Sequence, residues 1–178
     1  MSNRCVPLPM PENVTQWLSD DAKAINNEYN ALLQQWRAIR RELDAQPPPG
    51  QLLMAAEKQV VIARKKELAH DFIVVEIQMR NLFTKLAQAT RESMSAESLR
   101  LHTECAGYRD ELRKGMEALG LVDLAMANLE GILHQCHPKF RRAVDSIPST
   151  SFLVTLSQTE FDSQKLLMEA KKELMLVE

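Results

Sequence analysis

An all-α fold, built from long amphipathic helices in a coiled-coil or elongated helical-bundle arrangement, is what this sequence predicts, and three observations predict it. Apolar side chains recur at Leu18, Ala22, Ile25, Tyr29, Leu32, Trp36, Ile39 and Leu43, with spacings of 4 and 3 in strict alternation. A stripe repeating every 3.5 residues occupies one narrow helix face and is buried only against another helix. Only 5 glycines and few aromatics stand among abundant Leu, Ala, Glu, Lys, Gln and Met, a composition rich in helix formers and poor in turn residues. Two further apolar series with helical spacing follow, from Met54 to Ala89 and from Leu101 to Cys136.

Residues 1–12 read as a flexible arm, since Pro7, Pro9 and Pro11 forbid a helix there. The first long helix is expected over residues 13–45, with Asn13 and Gln16 forming a capping box. With Leu18, Ile25, Leu32 and Ile39 at d, the a positions are Ala22, Tyr29, Trp36 and Leu43, and Leu33 widens the stripe at e. Alanine alternating with bulky aromatics does not suit a symmetric parallel dimer, so the seam is expected to pack in a heterotypic or antiparallel way. These eight residues are the predicted partner-binding seam. Pro47, Pro48, Pro49 and Gly50 make residues 46–51 a hinge.

Residues 52–138 are expected to hold the second and third long helices. Met54, Val61, Leu68, Val75, Leu82 and Ala89 recur every seventh residue, with companions Phe72, Met79 and Leu86 but Lys58 and Lys65. The second half of this helix should therefore be the better buried. Phe72 to Ile77 reads as helix rather than strand because it lies inside a long helical pattern. Ser95 followed by Glu97 suggests a fresh N-cap and a short break between Ser93 and Ser98. From Leu101 to Cys136 the preserved phase favours one continuous helix over a hairpin at Gly120. Residues 139–156 read as an irregular connection containing Pro148, with Phe152, Val154 and Leu156 suited to a short extended segment. Ser157 and Glu160 offer a capping box for a C-terminal helix over residues 157–178, whose apolar face is Phe161, Leu167, Met168, Leu174 and Met175.

Chemistry-bearing patterns are sparse. His102, Cys105, His134, Cys136 and His137 would approach one another only if the chain turned back at Gly120, and Cys105 and Cys136 fall in the apolar seam, where free cysteine acts as a small hydrophobe. No metal or cofactor is therefore assigned. Glycine-rich phosphate loops, the G-x-S-x-G elbow, H-E-x-x-H and C-x-x-C motifs are all missing from the sequence, and no enzymatic activity is expected. The 22 basic and 24 acidic residues are mixed along the chain, which argues against a general nucleic-acid binder. Arg37, Arg40 and Arg41, and likewise Arg64, Lys65 and Lys66, read as solvated faces with local ion pairs. Lys139, Arg141 and Arg142 form a candidate basic contact.

Three cysteines, an odd number, and no apolar leader at the start of the sequence suggest an intracellular, cytoplasmic setting, whether cytoskeleton-associated or nuclear. No apolar run reaches the roughly 20 residues of a membrane span. The functional expectation is a non-enzymatic structural subunit of a larger helical complex, of cytoskeletal, spindle or kinetochore, or tethering type. Its partners would be other helical subunits in a hetero-oligomer. The alternative is a monomeric helical adaptor that binds a peptide or protein in a groove.

Overall fold

The computed structural model describes residues 9–48, 54–120 and 126–177. All regular elements among them are helices: α1 (Glu12–Thr15), α2 (Asp20–Ala45), α3 (Ala55–Ala118), α4 (Met126–Cys136), α5 (Pro138–Asp145) and α6 (Thr150–Val177). The all-α expectation holds. None of these helices is long and apolar enough to cross a membrane. Two compact units divide the chain: Met1–Thr90 with Phe152–Glu178, and Arg91–Ser151.

In the first unit, α1 is a single turn and the main helix begins later than the predicted Asn13. Ser19 is its N-cap and accepts a hydrogen bond from the Ala22 amide at 3.2 Å, while Asp20 and Asp21 place negative charge on the first turn. This combination of cap and dipole complement outcompetes Asn13 and Gln16, which stay exposed. Ahead of it, Met10 packs against the core, so the end of the predicted flexible arm is docked. α2 stops at Ala45, where Gln46 adopts an extended backbone ahead of the prolines. Residues 49–53, which include the second half of the predicted hinge, lie outside the described residues.

The core of this unit joins Tyr29, Leu33 and Trp36 of α2 to Phe72, Val75, Met79, Leu82, Phe83, Leu86 and Ala87 of α3 and to Leu156 of α6. Trp36 lies 5.1 Å from Phe72 and Tyr29 lies 5.7 Å from Phe83, centroid to centroid, so residue numbers rise along α2 as they fall along α3. The two helices are antiparallel. Arg64 pairs with Glu42 across them, and Lys65 donates from Nζ to the Pro47 carbonyl at 2.6 Å. The second half of the predicted second helix is the better buried one: Val60 and Ile62 are exposed, whereas Phe72, Met79 and Leu86 are buried.

Three expectations about boundaries are corrected. α3 runs unbroken through Ser93–Ser98, because Ser93 and Met94 are buried and Thr90 satisfies its hydroxyl by donating to the Leu86 carbonyl at 2.7 Å. Side-chain hydroxyls that bond back to the preceding turn are compatible with a continuing helix. The predicted continuous helix from Leu101 to Cys136 is instead two, since α3 ends at Ala118 and Gly120 takes a left-handed φ of 76° that closes the turn. The extended segment at Phe152–Leu156 is helical, because Leu156, Ser163, Leu167 and Ala170 present one buried line at helical spacing. Ser157 and Glu160 consequently lie inside α6 and do not cap it.

In the second unit, Leu101 and Cys105 of α3, Leu133 of α4, and Phe140 and Ala143 of α5 form a small core, flanked by Tyr108, Leu112, Val144 and Ile147. Arg109 pairs with Glu130 at 2.8 Å and lies 5.6 Å from the Phe140 ring centroid. The predicted irregular connection therefore contains α5, capped by His137, whose Nδ1 accepts from the Phe140 amide at 3.1 Å. Pro138 at the first turn suits a helix start, where no intrahelical donor is needed.

Candidate partner-binding surface

The eight seam residues are placed in the first unit's interior rather than on a free face. Leu18, Ala22, Tyr29 and Trp36 are buried, and Ile25, Leu32, Ile39 and Leu43 are partly buried against the same core. Asn26 and Leu33, both at e, are buried, whereas the d residues Ile25, Leu32 and Ile39 are only partly buried, so the inward line of α2 beyond Leu18 runs along a and e. From Ile25 to Leu43 the seam packs against residues of α3 and α6 of the same chain. A narrow heptad stripe states that a helix must be covered, not which chain supplies the cover.

Beside this core lies a buried polar cluster. Arg80 donates from Nε to Glu76 Oε1 at 3.1 Å and from Nη1 to Ser163 Oγ at 3.4 Å, tying α3 to α6. Its Nη2 is also 3.1 Å from Glu76 Oε1, without the angle of a hydrogen bond. Nearby Tyr29 is pushed up to about 12 by burial, an effect that the charges of Arg80 and Arg37 partly offset. Below about pH 10 the phenol is neutral in both folded and unfolded chains; above it the unfolded chain ionises first. Stability should therefore fall by roughly 2–3 kcal/mol between about pH 10 and 12 relative to a Tyr29→Phe variant. Denaturant melts of both proteins across that window check this, and parallel pH profiles would contradict it.

The other candidates separate by exposure. Lys139, Arg141 and Arg142 are exposed on α5, whose opposite side buries Phe140 and Ala143. Cys105 is buried, and burial pushes its thiol up, away from the thiolate that a metal requires. Cys136, His102 and His134 are exposed, and His137 is used as a cap. Among the described residues no group of three or more His, Cys, Asp or Glu is arranged to hold a metal ion. Cys5 lies outside the described residues. On α2, Trp36, Arg37, Arg40 and Arg41 line a surface hollow of about 370 Å³, with the Arg40 guanidinium 5.6 Å from the Trp36 ring centroid.

One surface was missed as a surface. The predicted apolar face of the last helix contains two faces. Leu167 is buried and Leu174 half-buried, whereas Val154, Phe161, Met168 and Met175 are 73%, 66%, 58% and 80% exposed. These four recur every seventh residue. At about 100° per residue, their row lies roughly 160° around the helix from the buried line of Leu156, Ser163 and Ala170. The signal was present in the sequence as a second heptad series, but periodicity alone merges two apolar rows of one helix into a single face.

Fold and surface together define an all-α protein of two helical units with an exposed heptad row on its last helix. No protein-family model, no curated protein and no solved structure matches the chain.

Proposed function

We propose that this chain is a non-enzymatic structural subunit of a larger multi-protein helical complex, of cytoskeletal, spindle or kinetochore, or tethering type, working inside the cell and joined to other helical subunits in a hetero-oligomer. The observation that carries this reading is the row Val154, Phe161, Met168 and Met175, an apolar stripe of coiled-coil spacing that the described helices leave exposed. Exposed apolar rows on otherwise well-packed units mark places where protein partners bind. Lys139, Arg141 and Arg142 on α5 are a secondary contact for an acidic segment.

A second reading, a self-contained helical adaptor, is favoured by the burial of the α2 seam within the chain, which gives the first unit a core of its own. Affinity purification from the native cell separates the two. The subunit reading expects stoichiometric co-purifying chains that a Phe161→Asp/Met168→Asp variant loses while keeping its helical circular dichroism and melting temperature. Recovery of the native protein as a monomer of 20.3 kDa favours the adaptor. Undiminished recovery of partners by the variant would remove the α6 row from the interface.

A further inference from the structure

The residues beside the α6 row identify the partner's charge. Lys171 follows Met168 by three residues, and Lys165 and Lys172 follow Phe161 and Met168 by four, so all three exposed lysines lie within about 60° of the row. Gln158, Ser157 and Gln164 take the remaining flanking positions. The acids of α6 are turned from the stripe: Asp162 and Glu169 follow row residues directly and Glu160 precedes one, each about 100° away, and Glu173 lies two residues before Met175, about 160° away. Asp162 in addition accepts from Gln158 Nε2 at 3.1 Å. Between Val154 and Met175 the flanking positions are thus held by lysine, serine or glutamine and by no carboxylate; Glu178, three residues after Met175, lies outside the described residues.

We propose, building on the reading of the chain as an interaction subunit, that the α6 row docks an acidic amphipathic helix of a partner protein. That helix presents apolar a and d residues to Val154, Phe161, Met168 and Met175 and carboxylates to Lys165, Lys171 and Lys172. The heptad spacing calls for a helix, since knobs repeating every seventh residue fit only a partner of the same period. The lysines call for acids, because flanking charges set partner choice. A second copy of this chain fits less well: in parallel the lysines meet their own copies, and in antiparallel Lys171 and Lys172 meet Ser157 and Gln158 with no opposite charge. A lipid surface needs a broad apolar face, whereas this one is a single residue wide with polar neighbours on either side. Contact with one helix over about 30 Å buries less than a standard interface, so binding is of micromolar strength and depends on salt.

The test uses the full chain and two synthetic 28-residue helical peptides with leucine at a and d, one carrying glutamate at e and g and the other lysine. The glutamate peptide should bind about tenfold or more tightly than the lysine peptide in isothermal titration, and should weaken as salt is raised. Phe161→Asp/Met168→Asp should abolish this binding. The triple variant Lys165→Glu/Lys171→Glu/Lys172→Glu, which touches only exposed side chains, should reverse the preference. Equal binding of both peptides, binding unaffected by the double variant, a dimer of the chain that Phe161→Asp dissolves, or binding to phosphatidylserine vesicles in place of peptides would each overturn the proposal. A native complex that needs Phe161 but a chain that prefers the lysine peptide would overturn the charge assignment and leave the subunit reading standing.

Discussion

Replacing Trp36 with alanine is expected to destabilise the first unit by about 3–5 kcal/mol, the range for truncating a buried large aromatic. Trp36 is almost wholly buried and stacks at a tilt on Phe72, so the substitution opens a cavity between α2 and α3 and removes an aromatic pair. In a chain of this size each kcal/mol is worth roughly 2–4 °C, which makes the thermal shift about 10 °C. Trp36→Phe behaves differently. The indole Nε1 is buried without a hydrogen-bond partner, so phenylalanine loses packing area but also relieves an unsatisfied donor. Its cost should stay within about 1 kcal/mol. Urea melts followed by far-ultraviolet circular dichroism measure both, and an alanine variant that melts like the wild type would mean that α2 does not pack on α3 as described.

The second large effect concerns Glu76 and Arg80. Both are buried, and removing one partner strands the charge of the other in an apolar setting. Glu76→Ala should therefore cost about 3–5 kcal/mol, and Arg80→Met a comparable amount. The double variant Glu76→Leu/Arg80→Met removes both charges together and should be near neutral, or more stable by about 1–4 kcal/mol. Its residual cost is the Ser163 hydroxyl, which loses its contact with Arg80. A double-mutant cycle by denaturant unfolding reads the coupling directly. Additive single effects, with coupling under about 0.5 kcal/mol, would show that the pair does not act as a unit.

Much of the fold was legible in the chain. The α2 stripe, its end before the prolines, the exposed start and buried later part of α3, and the helical character of Phe72–Ile77 all follow from local spacing. The misreadings share one cause. Ser93–Ser98 looked like a break because its residues favour caps, yet burial of Ser93 and Met94 holds the helix through it. Leu101 and Leu133 looked like one helix because each of two helices keeps its own apolar row, and the agreement in phase across Gly120 carries no structural meaning.

The candidate surface was less legible than the fold. Both α2 and α6 carry heptad rows, and composition does not rank them. The α2 row is covered because α3 returns antiparallel beside it and α6 adds Leu156 to the same core. The α6 row stays open because the helix spends its other face, through Leu156, Ser163, Leu167 and Ala170, on burial within the chain.

Helix identity, approximate ends and the presence of apolar rows depend on backbone hydrogen bonds and side-chain spacings within a turn or two, so the order of residues settles them locally. Which row is buried and which is left for a partner depends on contacts between distant segments, such as Arg80 with Ser163, 83 residues apart. Those contacts are chosen by the packing of the whole unit, because each apolar face competes for the same limited set of covering helices.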